Sequence, residues 1–248
     1  MSNLNFEPEI KDIASWLENY NTISGTNGYV VGLSGGIDST LVAALAVKAV
    51  GKENVIGVIM PIYSGEQDEL DADRVAKLLG IETVFYDMRE TYNAMVEEAP
   101  ILLGRLEQAN IRARLRMTFL YAVAGKNNML VAGTGNKSED MIGYFTKYGD
   151  GGVDVLPIAE YYKWEVKGMA RNLGIPDDLV ERTPTAALWE GQTDEKDIGM
   201  SYDVLDSILY YLETGKEYPI DHADKIEKVK KMIRINEHKT KYPPIYRR

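Results

Sequence analysis

Tyr29-Val30-Val31-Gly32-Leu33-Ser34-Gly35-Gly36-Ile37-Asp38-Ser39 is the stretch whose reading decides the fold. Its first half is a short apolar, β-rich run. A Ser-Gly-Gly turn follows, and an apolar segment of helical length then extends from about Ser39 to Val50, where Gly51 closes it. That order sets the turn at the carboxyl end of a strand and before a helix N-terminus, where free N–H groups and the positive helix end favour an anion. Glycines let backbone approach an oxyanion, and Ser34, Ser39 and Thr40 offer hydroxyl donors. Gly32, Leu33, Ser34, Gly35, Gly36, Ile37, Asp38 and Ser39 therefore read as a phosphate cradle. It is neither the Gly-Lys-Ser/Thr loop nor the Gly-x-Gly-x-x-Gly fingerprint. Asp38 repels phosphate unless a cation lies between them, which implies Mg²⁺ held jointly by carboxylate and phosphates. On local physics alone, the alternative is a plain connector with Asp38 favouring the helix start through the dipole.

Outward from this stretch, Ile10, Ile13, Ala14 and Leu17 recur at helical spacing over residues 9–20, before the polar Asn21–Asn27 stretch. Asn54–Met60 and Ile81–Tyr86 read as buried strands, with a helix over Glu66–Leu79 ended by Gly80 between them. Helical stretches near 89–99 and 105–125 lead to a fourth strand, Asn128–Ala132, and a Gly-Thr-Gly turn. Strands alternating with helices predict an α/β fold with a doubly wound parallel sheet covered on both faces. Beyond Pro157 the pattern is helical (about 160–173, 177–181, 201–213 and 222–236), which predicts a C-terminal helical appendage on a single domain spanning residues 1–248. Glu66, Asp68, Glu69, Asp71 and Asp73 read as a solvated helix face, lacking the EF-hand glycine and terminal glutamate.

The 248 residues are 45% hydrophobic and 27% charged, which is globular usage with enough apolar content for a full core. A formal charge of −10 opposes binding to nucleic acid or anionic lipid. With no cysteine there is no disulfide, thiolate zinc site or thiol nucleophile. The N-terminus lacks a basic segment followed by an apolar one, and no window approaches about 18 apolar residues, so a cytoplasmic, non-membrane protein is expected. Asn136-Lys137-Ser138 fits the glycosylation pattern only by chance in such a protein.

Ser34-Gly35-Gly36-Ile37-Asp38-Ser39 after the first strand resembles the signature of the ATP pyrophosphatases, which split ATP between its α- and β-phosphates and adenylate a carbonyl oxygen. Four further segments resemble the ammonia-dependent NAD synthetases within that superfamily. They are Asn110–Met117, Gly133–Glu139, Gly143–Gly151, and Pro184-Thr185-Ala186 through Gly191-Gln192-Thr193-Asp194-Glu195, with His238-Lys239 following near the C-terminus.

The resemblance implies an adenine-nucleotide-hydrolase-like sheet and Mg²⁺-dependent amidation of deamido-NAD by ammonia, with AMP and pyrophosphate released from an acyl-adenylate. It implies Asp38 and Glu139 as Mg²⁺ carboxylates; Thr134, Lys163 and Thr185 beside the cradle at ATP; and Arg114, Lys147, Asp154, His238 and Lys239 at deamido-NAD. Lys147 would pair with the substrate carboxylate and Asp154 would attract ammonium, both turned inward by closure of the glycine-rich loop between them. Arg112 and Arg116 share a helix face at i,i+4 and read as charged surface, and His222 reads as a surface residue at a helix start. The resemblance further implies a homodimer with the dinucleotide site near the subunit interface, and no glutaminase domain, whose nucleophile would be a cysteine. The alternatives are a GMP synthetase ATP domain and a non-catalytic nucleotide-binding regulator.

Overall fold

The computed structural model describes residues 4–185 and 192–247, so residues 186–191 of the Pro184–Glu195 segment lie outside the described residues. In chain order the elements are α1 (Glu7–Ser24), β1 (Tyr29–Gly32), α2 (Ile37–Val50), β2 (Val55–Ile59), α3 (Glu66–Leu79), β3 (Glu82–Phe85), α4 (Arg89–Glu97), α5 (Arg105–Asn127) and β4 (Leu130–Val131). They continue as α6 (Lys137–Ile142), α7 (Lys163–Asn172), α8 (Asp177–Val180), α9 (Asp194–Ile198), α10 (Tyr202–Thr214) and α11 (Ala223–Thr240).

All pairings among the strands are parallel, in the order β3-β2-β1-β4. The chain thus steps outward from β1 to β3 and returns to the other side of β1 as β4. This reversal opens a crevice at the carboxyl ends of β1 and β4. On one face α1, α2, α3, α7 and α8 pack around Leu41, Leu45, Val166 and Met169, while α4 and α5 cover the other with Tyr92, Val123 and Ala124. Helix α2 buries Leu41, Val42, Ala43, Ala44 and Leu45 in succession because it lies between the sheet and the α1–α7 layer.

A third cluster joins α6, α10 and α11 through Ile142, Leu205, Ile208, Leu209, Ile226 and Val229. This is the expected helical appendage with its membership changed: α6 joins it, while α7 and α8 leave it for the main core. Helix α7 belongs to the main core, where Val166, Met169 and Ala170 pack against α2.

Two strands differ from expectation. β4 is only two residues long, extended by a parallel bridge from Ala132 to Val155. β3 is outermost and not buried: Glu82, Thr83 and Phe85 are exposed, Phe85 at 60%. Among the described residues no helix is long and apolar enough to cross a membrane.

Gly28 brings the chain into β1 at φ +142°, and a Cβ there would lie 1.9 Å from the Asn54 carbonyl oxygen. Gly25, at φ +65°, has open space around it. Gly28→Ala is therefore expected to cost about 2 kcal/mol or more in urea denaturation, and Gly25→Ala only about 1 kcal/mol. Equal losses would refute the close approach.

Candidate active site

A cavity of about 950 Å³ occupies the crevice, within the usual range for small-molecule sites. The cradle Gly32–Ser39 forms one wall, while Met60, Pro61 and one face of α5 form another. Gly133, Thr134, Glu139, the 143–150 loop, Lys163, Thr185, His238 and Lys239 complete it. With the exception of Gly35, Thr40 and Asp154, every residue expected at the site lines this cavity.

The cradle is held by its own hydroxyls. Ser39 Oγ donates to the Gly36 carbonyl at 3.0 Å and accepts from Ser34 N–H at 3.3 Å, and Ser34 Oγ accepts from Gly36 N–H at 3.2 Å. Gly35, at φ +73°, lies where a Cβ would strike Arg182 and Asp71. Thr40 departs from expectation: it is fully buried, and its hydroxyl is committed to the Gly36 carbonyl at 2.8 Å, which leaves it no reach to an anion.

Beneath the cradle lies a buried charge cluster. Lys163, 2% exposed, places Nζ 2.6 Å from Asp38 Oδ2 and 3.1 Å from Glu139 Oε1. Asn136, the N-cap of α6, donates to Asp38 Oδ1 at 2.8 Å and accepts from Glu139 N–H at 3.1 Å, so one side chain aligns both acids. The Tyr202 hydroxyl lies 3.0 Å from Glu139 Oε1 and 3.2 Å from Asp194 Oδ2, serving one acid at a time with its single proton. Burial pushes the Glu139 carboxyl up to about 7, with Asp38 and Asp194 adding to it against the pull of Lys163. Burial also raises Asp194. For Lys163, burial acts to discharge the ammonium, but Asp38 and Glu139 outweigh it and hold its pKa above the ordinary lysine range. Lys163 is thus the buried counter-ion of the two expected metal carboxylates.

The far end of the cavity is closed by the 143–150 loop, which is pinned on two sides. Lys239 Nζ donates to the Gly143 and Phe145 carbonyls at 2.7 and 2.8 Å, and Lys147 Nζ donates to the His238 carbonyl at 2.6 Å. Arg114 donates to the Lys147 carbonyl at 3.3 Å, and Thr146 Oγ1 donates to Asn110 Oδ1 at 2.8 Å. Asp154 does not join these residues. Its Oδ2 accepts from Val131 N–H at 2.8 Å and its Oδ1 from the Tyr121 hydroxyl at 3.0 Å, so it ties the sheet edge to α5 outside the cavity lining. The inward turn expected of Asp154 is therefore absent from this arrangement.

Several charged residues are placed differently from the surface reading. Arg116 is half-buried in the cavity wall, donating to the Met60 carbonyl at 3.1 Å and to Ser64 Oγ at 3.4 Å. Burial, with the neighbouring Arg112 charge, lowers its pKa to about 10. Arg112 stacks over Tyr92, with its guanidinium carbon 4.7 Å from the ring centroid. Asp68 and Asp71 are not a solvated face: Arg182 pairs with both beside Gly35. Asn136, Tyr202, Asp194 and Arg182 are site residues that the sequence reading did not single out. Asn136 and Asp194 lay inside the segments that resemble the family, and the Asn136-x-x-Glu139 spacing is a helix-cap signal that could have marked the first of them.

The sequence model of NAD synthase matches residues 9–243. The chain belongs to the NAD synthase family. A relative from Archaeoglobus fulgidus named NH(3)-dependent NAD(+) synthetase is 44% identical over 246 residues, covering 98% of each chain. Among solved structures, NMN synthetase from Francisella tularensis superposes with a TM-score of 0.90 at 33% identity, covering 98% of this chain and 99% of that one. An NH3-dependent NAD synthetase from Campylobacter jejuni, crystallised with nitrate, superposes at 0.85 with 29% identity, covering 99% and 100%. That membership sets aside the GMP synthetase alternative, and since the family's members are ligases it sets aside the regulator as well.

Asp38, Glu139 and Asp194 converge on a single lysine, so the cluster carries surplus negative charge. Glu139→Gln keeps acceptor and shape while removing one charge. Its thermal midpoint in metal-free buffer is expected to match or exceed the parent's. A drop of more than about 4 °C, roughly 1 kcal/mol at this size, would show that the charge is required for folding.

Proposed function

We infer that the enzyme amidates deamido-NAD with free ammonia, consuming ATP and releasing AMP and pyrophosphate as the last step of NAD formation. The observation that carries this reading is the convergence of Asp38, Glu139 and Lys163 beneath a glycine-hydroxyl cradle at the sheet reversal. A carboxylate is a poor electrophile, so activation precedes amination. The nicotinate oxygen attacks the α-phosphorus while the bond to the bridging oxygen of the β-phosphate breaks and pyrophosphate leaves. Ammonia then adds to the acyl carbon, AMP departs with its oxygen, and the nitrogen loses a proton. The backbone N–H groups of the cradle and the Lys163 ammonium orient the phosphates and balance their charge, and no covalent nucleophile is needed. Thr134 and Thr185 add hydroxyls along the same wall.

The residues fit a magnesium ion. Asp38 and Glu139 are hard oxygen donors beside the phosphate cradle, two carboxylates that share one lysine. Asp38 and Glu139 would hold Mg²⁺, which when bound supplies charge compensation for the departing pyrophosphate. Arg114, Lys147, His238 and Lys239, gathered around the 143–150 loop, would hold the dinucleotide. Asp154 belongs to this set by its position in the motif. Its hydrogen bonds give it a bracing role, so Asp154→Ala is expected to lower stability as well as rate.

A homodimer is part of this reading, supported by the large apolar side chains Ile101, Leu102 and Leu106 that stand exposed around the α4–α5 junction. Light scattering that gives a monomer at micromolar concentration would exclude it. A cytoplasmic setting is inferred alongside.

The deciding experiment supplies deamido-NAD, ATP, Mg²⁺ and ammonium, and follows NAD and AMP. Equal yields of both are expected, with glutamine unable to replace ammonium because the chain has no cysteine. ADP in place of AMP would overturn the adenylate. The NMN synthetase likeness favours one competing substrate, nicotinate mononucleotide; a higher kcat/KM for it than for deamido-NAD would move the assignment. Asp38→Asn is expected to lower kcat by about 100-fold or more. Lys147→Ala is expected chiefly to raise the KM for deamido-NAD, and an unchanged KM would remove Lys147 from the site.

A further inference from the structure

Asp206 is 4% exposed, lies on α10, and takes no part in the chemistry above. Its carboxylate nevertheless reaches two other helices. Oδ1 accepts from Ser138 Oγ on α6, and Oδ2 accepts from Trp164 N–H on α7 at 3.3 Å. Ser138, fully buried, in turn accepts from Lys163 N–H at 2.9 Å. Lys163 and Trp164 are the first two residues of α7, whose N–H groups have no partner within their own helix. Ser138 immediately precedes Glu139. One buried carboxylate therefore governs, through a single hydroxyl and two backbone N–H groups, both members of the Lys163–Glu139 pair.

We propose that Asp206 is a positioning residue for the adenylation step: it holds α6 and α7 in the register that sets Lys163 and Glu139 against Asp38. This rests on the ATP-dependent reading above. Asp38 stands on α2 in the main core, whereas Asp206 and Ser138 stand on helices of the third cluster, so the bonds they accept from the N–H groups of Trp164 and Lys163 carry the appendage into the geometry of the charge cluster. A buried carboxylate is costly unless hydrogen-bonded, and a well-packed apolar residue there would stabilise the fold at least as well. What an apolar residue would forfeit is the placement of Ser138 and of the α7 N-terminus. Burial raises the Asp206 carboxyl to about 6, in keeping with a site whose partners are neutral donors.

The test uses the full chain, varying ATP and ammonium separately in NAD formation, with the thermal midpoint recorded for each variant. Asp206→Ala is expected to lower kcat about tenfold or more and to raise the apparent KM for ATP several-fold, because displacement of a catalytic group by about 1 Å can cost two orders of magnitude. The apparent KM for ammonium should stay within about twofold, since no link to the second step is disturbed. Asp206→Asn, which keeps a carbonyl acceptor and the volume, should recover most of the ATP effect. Ser138→Ala should reproduce the direction of the Asp206→Ala change.

Folded Asp206→Ala and Ser138→Ala variants with ATP parameters within about twofold of the parent would overturn the proposal. So would a loss of kcat that tracks the unfolded fraction with KM unchanged. If Asp206→Ala does not fold, Ser138→Ala decides by the same split. A parent that forms NAD without AMP defeats the adenylation reading at the outset, whereas a parent that forms AMP, matched by its variants, defeats only the role of Asp206.

Discussion

The site depends on an ammonium buried between two carboxylates. Lys163 leaves α7, Asp38 stands in the first turn of α2 and Glu139 in the first turn of α6. A charge removed from water is tolerated only when paired and hydrogen-bonded, so the cluster persists only while all three helices keep their places. The helix dipole favours Asp38 and Glu139 in first turns and disfavours a cation in the same position on α7. Lys163 is therefore not there for the sake of its own helix. Its stabilisation comes from acids on other elements, which makes it a reporter of tertiary order.

The parallel sheet explains why those acids meet. β1 and β4 are neighbours and run the same way, so the turns that follow them leave from one edge about 5 Å apart. One turn becomes the cradle and carries Asp38, and the other carries Thr134 and leads to Glu139. An antiparallel neighbour would have sent the second turn to the opposite edge.

The helical appendage completes the wall. Tyr202 of α10 reaches Glu139, while Lys137 and Tyr162 both bond Glu213 at the other end of α10. Lys239, near the end of α11, binds two carbonyls of the loop over the cavity. The third apolar cluster thereby sets the position of the polar groups around Glu139 and of the loop over the cavity. Arg182 does something similar from the other side, where its pairing with Asp68 and Asp71 fixes α3 beside Gly35.

The alternation of apolar runs and helical periods determined the α/β class, the cradle after the first strand, and helix ends at Gly51 and Gly80. These features depend on residues a few positions apart, through backbone hydrogen bonding, φ preference and periodicity, and so they are written locally. The motif residues were legible in the same way, as types at fixed spacings. Tertiary structure alone decided which charges are buried and what they touch. Lys163 meets Asp38 across 125 positions and Arg182 meets Asp68 across 114. Arg116 turned from a surface residue into a cavity wall because Met60 and Ser64 lie against α5. Asp154 stands against the sheet edge, where it accepts from the N–H of Val131 and the hydroxyl of Tyr121, partners that no local pattern announces. Burial is a property of packed elements, and a lysine or arginine looks the same in a helical pattern whether its neighbour in space is water or an acid from another layer.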